Sequence, residues 1–161
     1  MTTVRRDDIA TRDDIESLVR AFYRDAAMDD LLGPIFAGAD VDWPEHIDKL
    51  TEFWSWQLLG ERGYDGNPLR AHEPIHARFP FRDAHFQRWL ELFAATVDEN
   101  FCGPVAATAK IRAVKMAHAL QRLLGGAHGE SGESGLALWT TKPSETLAAV
   151  TACAPGVRLR S

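Results

Sequence analysis

The chain has 161 residues, 45% hydrophobic and 25% charged, with a net charge of −5 at pH 7. This composition is typical of a globular protein with one main core, and it excludes a disordered chain. Acidic and basic residues are interspersed, so neither nucleic acid nor a membrane is an expected partner. The sequence lacks the run of about 20 apolar residues that crosses a bilayer and the apolar core of a secretory signal. We therefore expect a cytoplasmic protein.

The spacing of apolar residues predicts an all-α chain with four main helices. Thr11 and Asp14 resemble a capping box before the first helix, and Asp42 can cap the second. Gly60 ends the second helix, because glycine readily takes the left-handed conformation that closes a helix. The helices are expected at about 12–28, from 43 to about 59, from about 83 to Gly103-Pro104, and from there to Gly125-Gly126.

The segments between and after these helices bear on domain organisation. Residues 29–42 are expected to form a long connection that holds a short helical turn. The sequence GAHGESGESG at 126–135 is typical of a flexible linker. We therefore predict one globular domain over 1–126, followed by a linker and C-terminal extension over 127–161 with one short helix at about 144–154.

Residues 60–81 are rich in glycine and proline and are predicted to be a loop. A single helical turn carrying Leu69 and His72 is expected within it. Pro74 lies between His72 and His76 and argues against a continuous helix there. His76 is accordingly expected to be a solvent-facing loop residue, with a supporting or alternative role at a metal as the other possibility.

Known catalytic motifs are absent from the sequence. No HExxH pair, phosphate-binding loop, GxSxG elbow or GxGxxG turn occurs. The two cysteines, Cys102 and Cys153, match no zinc or redox spacing and are expected to be incidental thiols. Hydrolase, nucleotide-binding and zinc-enzyme functions are therefore not favoured.

The helix that begins at Trp43 has an aromatic stripe with one histidine, and a second histidine follows in the loop. The stripe contains His46, Leu50, Phe53, Trp54 and Gln57, and the loop carries His72. Such a helix and loop can wall a flat cofactor on two sides. Taken alone, each feature also has a simpler explanation: tryptophans and tyrosines often fill a core, and both histidines suit ordinary surface positions.

Three segments together resemble the truncated haemoglobins, and closely their group III branch. They are FYRDAAMDDLLGPIF, WPEHIDKLTEFWSWQLLGERGYDGNPLRAH and FQRWLELF. The shared motifs are Phe-Tyr on the first helix, GPIF, HxxxxxxFW on the second helix, a Tyr-x-Gly-x-Pro-Leu loop, and an early tryptophan on the third helix. The resemblance covers about residues 8–125 and implies a two-over-two helical sandwich that binds haem b.

Carried over residue by residue, the resemblance assigns roles to four side chains. His72 matches the proximal histidine, the metal ligand of the family. Tyr23 and Trp89 match the distal hydrogen-bond donors, and His46 matches the distal histidine, which can act as a gate. Tyr23, His46 and Trp89 are thus the expected catalytic or ligand-handling residues.

The resemblance also implies a set of haem contacts. Lys49 is expected to pair with a haem propionate, with a solvated lysine as the equally favoured alternative. The full set expected to contact haem is His72, Phe36, Lys49, Leu50, Phe53, Trp54, Leu69 and Trp89.

The implied function is binding of oxygen, nitric oxide or carbon monoxide at a histidine-ligated iron. Donors aimed at the ligand predict slow oxygen release, which disfavours bulk oxygen transport. The alternative is an enzyme for NO dioxygenation, which needs an unidentified reductase, or for peroxidase-like reduction of peroxide. A third possibility is a haem-free helical interaction module in which the aromatic residues form a core.

Overall fold

The structure of the protein is a computed structural model, and it describes residues 6–125. This part of the chain is entirely helical, which confirms the all-α prediction. Its six helices are α1 (Arg12–Met28), α2 (Gly33–Gly38), α3 (Trp43–Leu59), α4 (Pro68–Arg78), α5 (Asp83–Asn100) and α6 (Pro104–Gly125). The predicted linker and extension at 127–161 lie outside the described residues.

Two helix pairs form a two-over-two sandwich. α1 packs against α3, α5 packs against α6, and the two pairs meet where α1 contacts α5 and α3 contacts α6. The short helix α2 packs on α1, whereas α4 packs on α6. The core lies between the pairs, and its largest fully buried side chains include Phe22, Trp54 and Phe93.

Local capping signals set the starts of α1 and α3 as predicted. The Thr11 hydroxyl accepts a hydrogen bond from the Asp14 amide at 3.2 Å, and the Asp14 carboxylate accepts one from the Thr11 amide at 3.0 Å. Asp42 accepts from the Glu45 amide at 3.2 Å. Gly60 ends α3 at φ +69°, the left-handed conformation that glycine adopts without steric cost.

The prediction for residues 60–81 was wrong in one respect, because Pro68–Arg78 is a continuous helix. The Asn67 side chain accepts a hydrogen bond from the Arg70 amide at 3.3 Å, and Pro68 begins the helix. Pro74 cannot donate to the Arg70 carbonyl, but Arg70 is exposed, so water can satisfy that carbonyl. The proline therefore removes one hydrogen bond without breaking α4.

The expectation of incidental thiols was also wrong for Cys102, which is disulfide-bonded. Cys153 lies outside the described residues. Disulfides are uncommon in cytoplasmic proteins, so the cytoplasmic localisation stays a prediction. None of the helices within residues 6–125 has the length and apolar content needed to cross a bilayer.

The segment before α1 is attached to the start of α6 by Asp8. One carboxylate oxygen of Asp8 accepts from the Val105 amide at 2.9 Å and the other from the Ala106 amide at 2.8 Å. A negative side chain at this position satisfies free amides and interacts favourably with the helix dipole. Gly103 precedes the helix at φ +155°, where a side chain would collide with Asp8.

An ion pair connects the end of α1 to α5. Arg88 donates to Asp29 at 2.7 Å, and the Asp29 side chain is only 7% exposed. Burial alone would raise the pKa of Asp29, but the hydrogen bonds from Arg88 and from the amides of Leu32 and Leu31 outweigh it, and the net pKa is lowered. A carboxylate with a lowered folded-state pKa stabilises the fold above its unfolded pKa of about 4.

We predict that Asp29→Asn reduces the dependence of stability on pH below about 4. The wild-type stabilisation is lost as pH falls through the folded pKa of Asp29, and the amide cannot titrate. Urea unfolding between pH 3 and pH 7 measures the effect, and Asp30→Asn, at an exposed neighbouring residue, is the matched control. Equal pH profiles for the two variants would contradict the assignment.

Candidate functional site

The two histidines singled out by the sequence lie on α3 and α4 and are close enough to interact electrostatically. His46 is on the first turns of α3 and His72 is on the second turn of α4. Burial lowers the pKa of His46, and electrostatic interaction with His72 and Lys49 lowers it further. His46 is therefore neutral at pH 7.

One ring nitrogen of His72 makes a hydrogen bond, and the other is available to bind a metal. Its Nδ1 lies 2.5 Å from the carbonyl oxygen of Pro68, so Nδ1 carries the proton and donates it. Nε2 then keeps its lone pair, as a metal ligand requires. The sequence analysis could not identify this hydrogen-bond partner. The Phe81 ring lies 6.2 Å from the His72 ring and contacts it edge-on.

Tyr23 lies at the centre of the other side of the site. It is 7% exposed and its ring contacts the His46 ring edge-on at 5.0 Å. Burial raises the pKa of the Tyr23 hydroxyl, and a hydrogen bond with the Trp89 side chain lowers it in part. Because an indole N–H can only donate, the Tyr23 oxygen is the acceptor. The hydroxyl proton of Tyr23 therefore remains available for another acceptor.

His46 has an unused polar atom in the same place. Its Nε2 is buried and has no hydrogen-bond partner within the described part of the protein. A buried polar atom without a partner costs about 1–3 kcal/mol, and in a native protein such an atom indicates a missing partner. A bound group beside Tyr23 would provide one.

The other predicted contact residues fall into two groups. Phe53 and Trp54 are buried on α3, and Leu50 and Phe36 are half-buried and pack against the core. Phe36 contacts the Tyr23 ring at 5.9 Å. The structure thus brings Phe36 and His46 into contact with Tyr23, whereas Leu50, Phe53 and Trp54 belong to the part of α3 that packs in the core.

Lys49 and Leu69 lie at the margin of this group. Lys49 is 65% exposed and its Nζ pairs with the Glu45 carboxylate at 2.7 Å. Leu69 is half-buried on α4, three residues before His72. A role for Lys49 with a propionate stays a prediction.

Sequence reasoning missed Trp43 as a member of the site. Its ring lies 5.8 Å from His46, 5.6 Å from Phe36 and 6.3 Å from Tyr23. Trp43 precedes His46 by three residues on α3, so helical spacing gave the signal. The sequence analysis used Trp43 only as the start of the helix.

His76 also differs from its expected setting. It is half-buried on α4 instead of facing solvent in a loop. Its Nδ1 accepts a hydrogen bond from the Phe81 amide at 2.9 Å, which connects the end of α4 to the segment before α5. His76 therefore has a local structural role.

These residues fit a haem group. His72 on α4 has a ring nitrogen that is not used in its bond to Pro68, and His46 on α3 has a buried ring nitrogen without a partner within the described residues, in contact with the Tyr23 ring. Within residues 6–125, no group of three or more His, Cys, Asp or Glu side chains could hold a bare metal ion. A single histidine with a free ring nitrogen suits haem, whose iron takes one imidazole from the protein.

Comparison with known proteins agrees with this geometry. Residues 6–122 match the family described as bacterial-like globin. The chain is 37% identical to the group 3 truncated hemoglobin of Campylobacter jejuni over 91 residues, which make up 54% of this chain and 69% of that protein.

The fold gives the same result. The crystal structure of the group III truncated hemoglobin from Campylobacter jejuni matches with a TM-score of 0.69 at 31% sequence identity, covering 78% of this chain and 100% of that one. The family, the relative and the fold all agree with the resemblance seen in the sequence. The chain is therefore a member of the bacterial-like globin family and a group III truncated haemoglobin.

Proposed function

We propose that this globin binds haem b through His72 and holds a diatomic ligand, foremost oxygen, beside Tyr23, Trp89 and His46. When bound, haem supplies an iron with one coordination position open to a gas molecule. The strongest support is the buried Nε2 of His46, which has no hydrogen-bond partner within the described residues and belongs to a ring that contacts Tyr23 at 5.0 Å. A bound ligand at that position would satisfy it.

Each protein group has a distinct role in this proposal. The Pro68 carbonyl orients the His72 ring and keeps Nε2 unprotonated, so that it can bind iron. Trp89 orients the Tyr23 hydroxyl, which donates to the ligand. The buried rings of Phe53 and Trp54 exclude water from the site, and hydrogen bonds are stronger where water is excluded.

Such a pocket suits capture of oxygen at low concentration better than bulk transport. Hydrogen bonds to the ligand act mainly on its rate of release, because that rate carries most differences in affinity between related sites. Nitric oxide and carbon monoxide are further expected ligands of the same position.

We predict that His72→Ala abolishes tight haem binding. The variant lacks the nitrogen that binds iron, and it also loses the stability that haem binding adds to the native state. Absorption spectra and melting temperatures of the haem-reconstituted proteins measure both effects, with His85→Ala on α5 as the matched control. His72→Gly with added imidazole should recover the haem spectrum, and full haem retention by His72→Ala would refute the assignment.

We predict that Tyr23→Phe combined with Trp89→Phe speeds oxygen dissociation more than tenfold. That factor corresponds to a loss of at least about 1.4 kcal/mol, within reach of two hydrogen bonds. Stopped-flow replacement of oxygen by carbon monoxide measures the rate. The double variant Tyr64→Phe with Trp56→Phe has the same substitutions at the surface and should release oxygen at the wild-type rate. Equal rates in all three proteins would mean that Tyr23 does not donate to the ligand.

Reduction of peroxide is a second candidate function, favoured by the state of His46. Its lowered pKa and unpartnered Nε2 give a neutral base in contact with Tyr23. His46 can take a proton from hydrogen peroxide at one oxygen and deliver it to the other, which leaves as water. The remaining oxygen leaves as a second water after an external reductant, such as a phenol, supplies two electrons and two protons. NO dioxygenation with a separate reductase remains the other enzymatic prediction.

We predict that His46→Leu slows the reaction of haem-loaded protein with hydrogen peroxide by about 10²-fold or more, the usual contribution of a general base. Because the pKa of His46 lies below the ordinary value of 6.5, the wild-type rate should at pH 6.5 still exceed half of its value at high pH and should fall further at lower pH. Stopped-flow absorption measures the rate, and His85→Leu is the control. A rate insensitive to both the substitution and pH would exclude His46 as the base.

A further inference from the structure

A series of aromatic rings leads away from the site through the core. The Trp89 ring stacks on Phe93 at 5.3 Å with 6° between the planes. Phe93 in turn stacks on Trp54 at 4.9 Å and 21°. The next ring is Phe53, 5.3 Å from Trp54 and nearly perpendicular to it. The inner end of the series, Trp89, is the hydrogen-bond partner of Tyr23.

The outer end of the series reaches the surface. Phe53 contacts Tyr64 at 5.1 Å and Trp56 at 6.3 Å. Trp56 and Tyr64 stack on each other at 6.0 Å with 21° between their planes. Trp56 is 45% exposed, and among the aromatic side chains of residues 6–125 it is the one classed as exposed. We call Trp56 and Tyr64 the surface stack.

The composition of the series suits transfer of single electrons. Tryptophan and tyrosine are the aromatic side chains that lose an electron most readily, and both ends of the series consist of them. The phenylalanines Phe93 and Phe53 lie between them and keep every ring within contact distance of the next. Core packing alone does not explain why the series ends at an exposed indole, because the hydrophobic effect favours burying an aromatic ring.

We propose that the surface stack is a second reaction site, where a small neutral phenol is oxidised by electrons passing inward along the ring series to the haem site. The proposal rests on the peroxide-reducing function. Hydrogen peroxide takes up two electrons and two protons and becomes two molecules of water. Two phenol molecules each lose one electron and one proton and become phenoxyl radicals. The protein rings end the cycle unchanged.

The local surroundings favour a neutral phenol over an anionic donor. The flat face of the surface stack matches a flat aromatic substrate. Burial raises the pKa of the Tyr64 hydroxyl, and the negative charge of Asp65 adds to the effect and outweighs the opposing positive charge of Lys49. The acidic Asp65 beside the stack would also repel a negatively charged reductant.

Trp43 is an alternative residue through which electrons can pass between the surface and Tyr23. It lies 6.3 Å from Tyr23, and the two rings are tilted by 54°. Trp43 lines a surface cavity together with Arg20 and Arg24. The Trp89–Phe93 and Phe93–Trp54 contacts are shorter and closer to parallel than the Tyr23–Trp43 contact, and the series ends at the exposed Trp56. We therefore assign the transfer to the surface stack and test Trp43 as the alternative.

The test compares the haem-loaded full chain with two variants, Trp56→Phe/Tyr64→Phe and Trp43→Phe. Guaiacol is the phenol, and its oxidation in the presence of hydrogen peroxide is followed by absorbance. A nitroso spin trap is added in parallel without guaiacol, and peptide mass spectrometry identifies the residue that carries the trap. Stopped-flow absorption separately gives the rate at which peroxide reacts with the haem site.

We expect the trap on Trp56 or Tyr64 in the wild type. The ratio of guaiacol oxidation to the rate of the peroxide reaction should fall at least tenfold in Trp56→Phe/Tyr64→Phe, where the peroxide reaction itself keeps its rate. In Trp43→Phe this ratio should not fall. A trap on Trp43 or Tyr23, or undiminished guaiacol oxidation in the double variant, would overturn the proposal while the peroxide function stands. A wild type that does not react with peroxide would overturn both.

Discussion

The packing of aromatic rings around Phe22 is the interaction on which the rest of the structure depends. Phe22 contacts Tyr23, Trp89 and Phe93 edge-on, at 4.7, 5.4 and 5.4 Å. Each such pair contributes about 0.5–1.5 kcal/mol beyond the burial of its surface. The contacts with Trp89 and Phe93 hold α1 on α5, and that docking brings Tyr23 and Trp89 together. The core packing therefore sets the relative positions of the polar groups in the candidate site.

The two sides of the site differ in how they are held. Tyr23, Trp54 and Trp89 belong to helices that share the core, whereas α4 contains no buried residue. The position of His72 thus depends on the Asn67 cap, the Pro68 carbonyl and the packing of α4 on α6. A cofactor between α3 and α4 would add the apolar contacts that α4 lacks. Haem would then complete this part of the fold as well as supply its chemistry.

Much of the fold could be predicted because its signals are local. Thr11, Asp14, Asp42 and Gly60 act within one helical turn, and the sequence analysis identified their roles correctly. Helix α4 was missed because Pro74 lowers helix propensity, while the exposure that makes this proline tolerable is a property of the tertiary structure. Local rules count the lost hydrogen bond, but they cannot tell whether water reaches the freed carbonyl.

In the candidate site, too, features within one helix could be predicted from the sequence, whereas contacts between distant segments could not. The helical stripe on α3 and the family resemblance identified His46, Tyr23, Trp89 and His72. Which group donates to which depends on contacts between distant segments, as with Trp89 and Tyr23, and no spacing rule contains them. The three-residue spacing between Trp43 and His46 could have placed Trp43 in the site. It was missed because Trp43 was considered only as the residue that begins α3.

The carboxylate of Asp8 has a consequence for the order in which the chain can assemble. Its hydrogen bonds join residues 97 and 98 positions apart, almost the full length of the described domain. Closing so long a loop is entropically costly, and contacts of this kind form late in folding. On the ribosome, the N-terminal segment must wait until Val105 and Ala106 have emerged. Within the described domain, the segment that precedes α1 is thus synthesised before the other parts and is among the last to reach its native position.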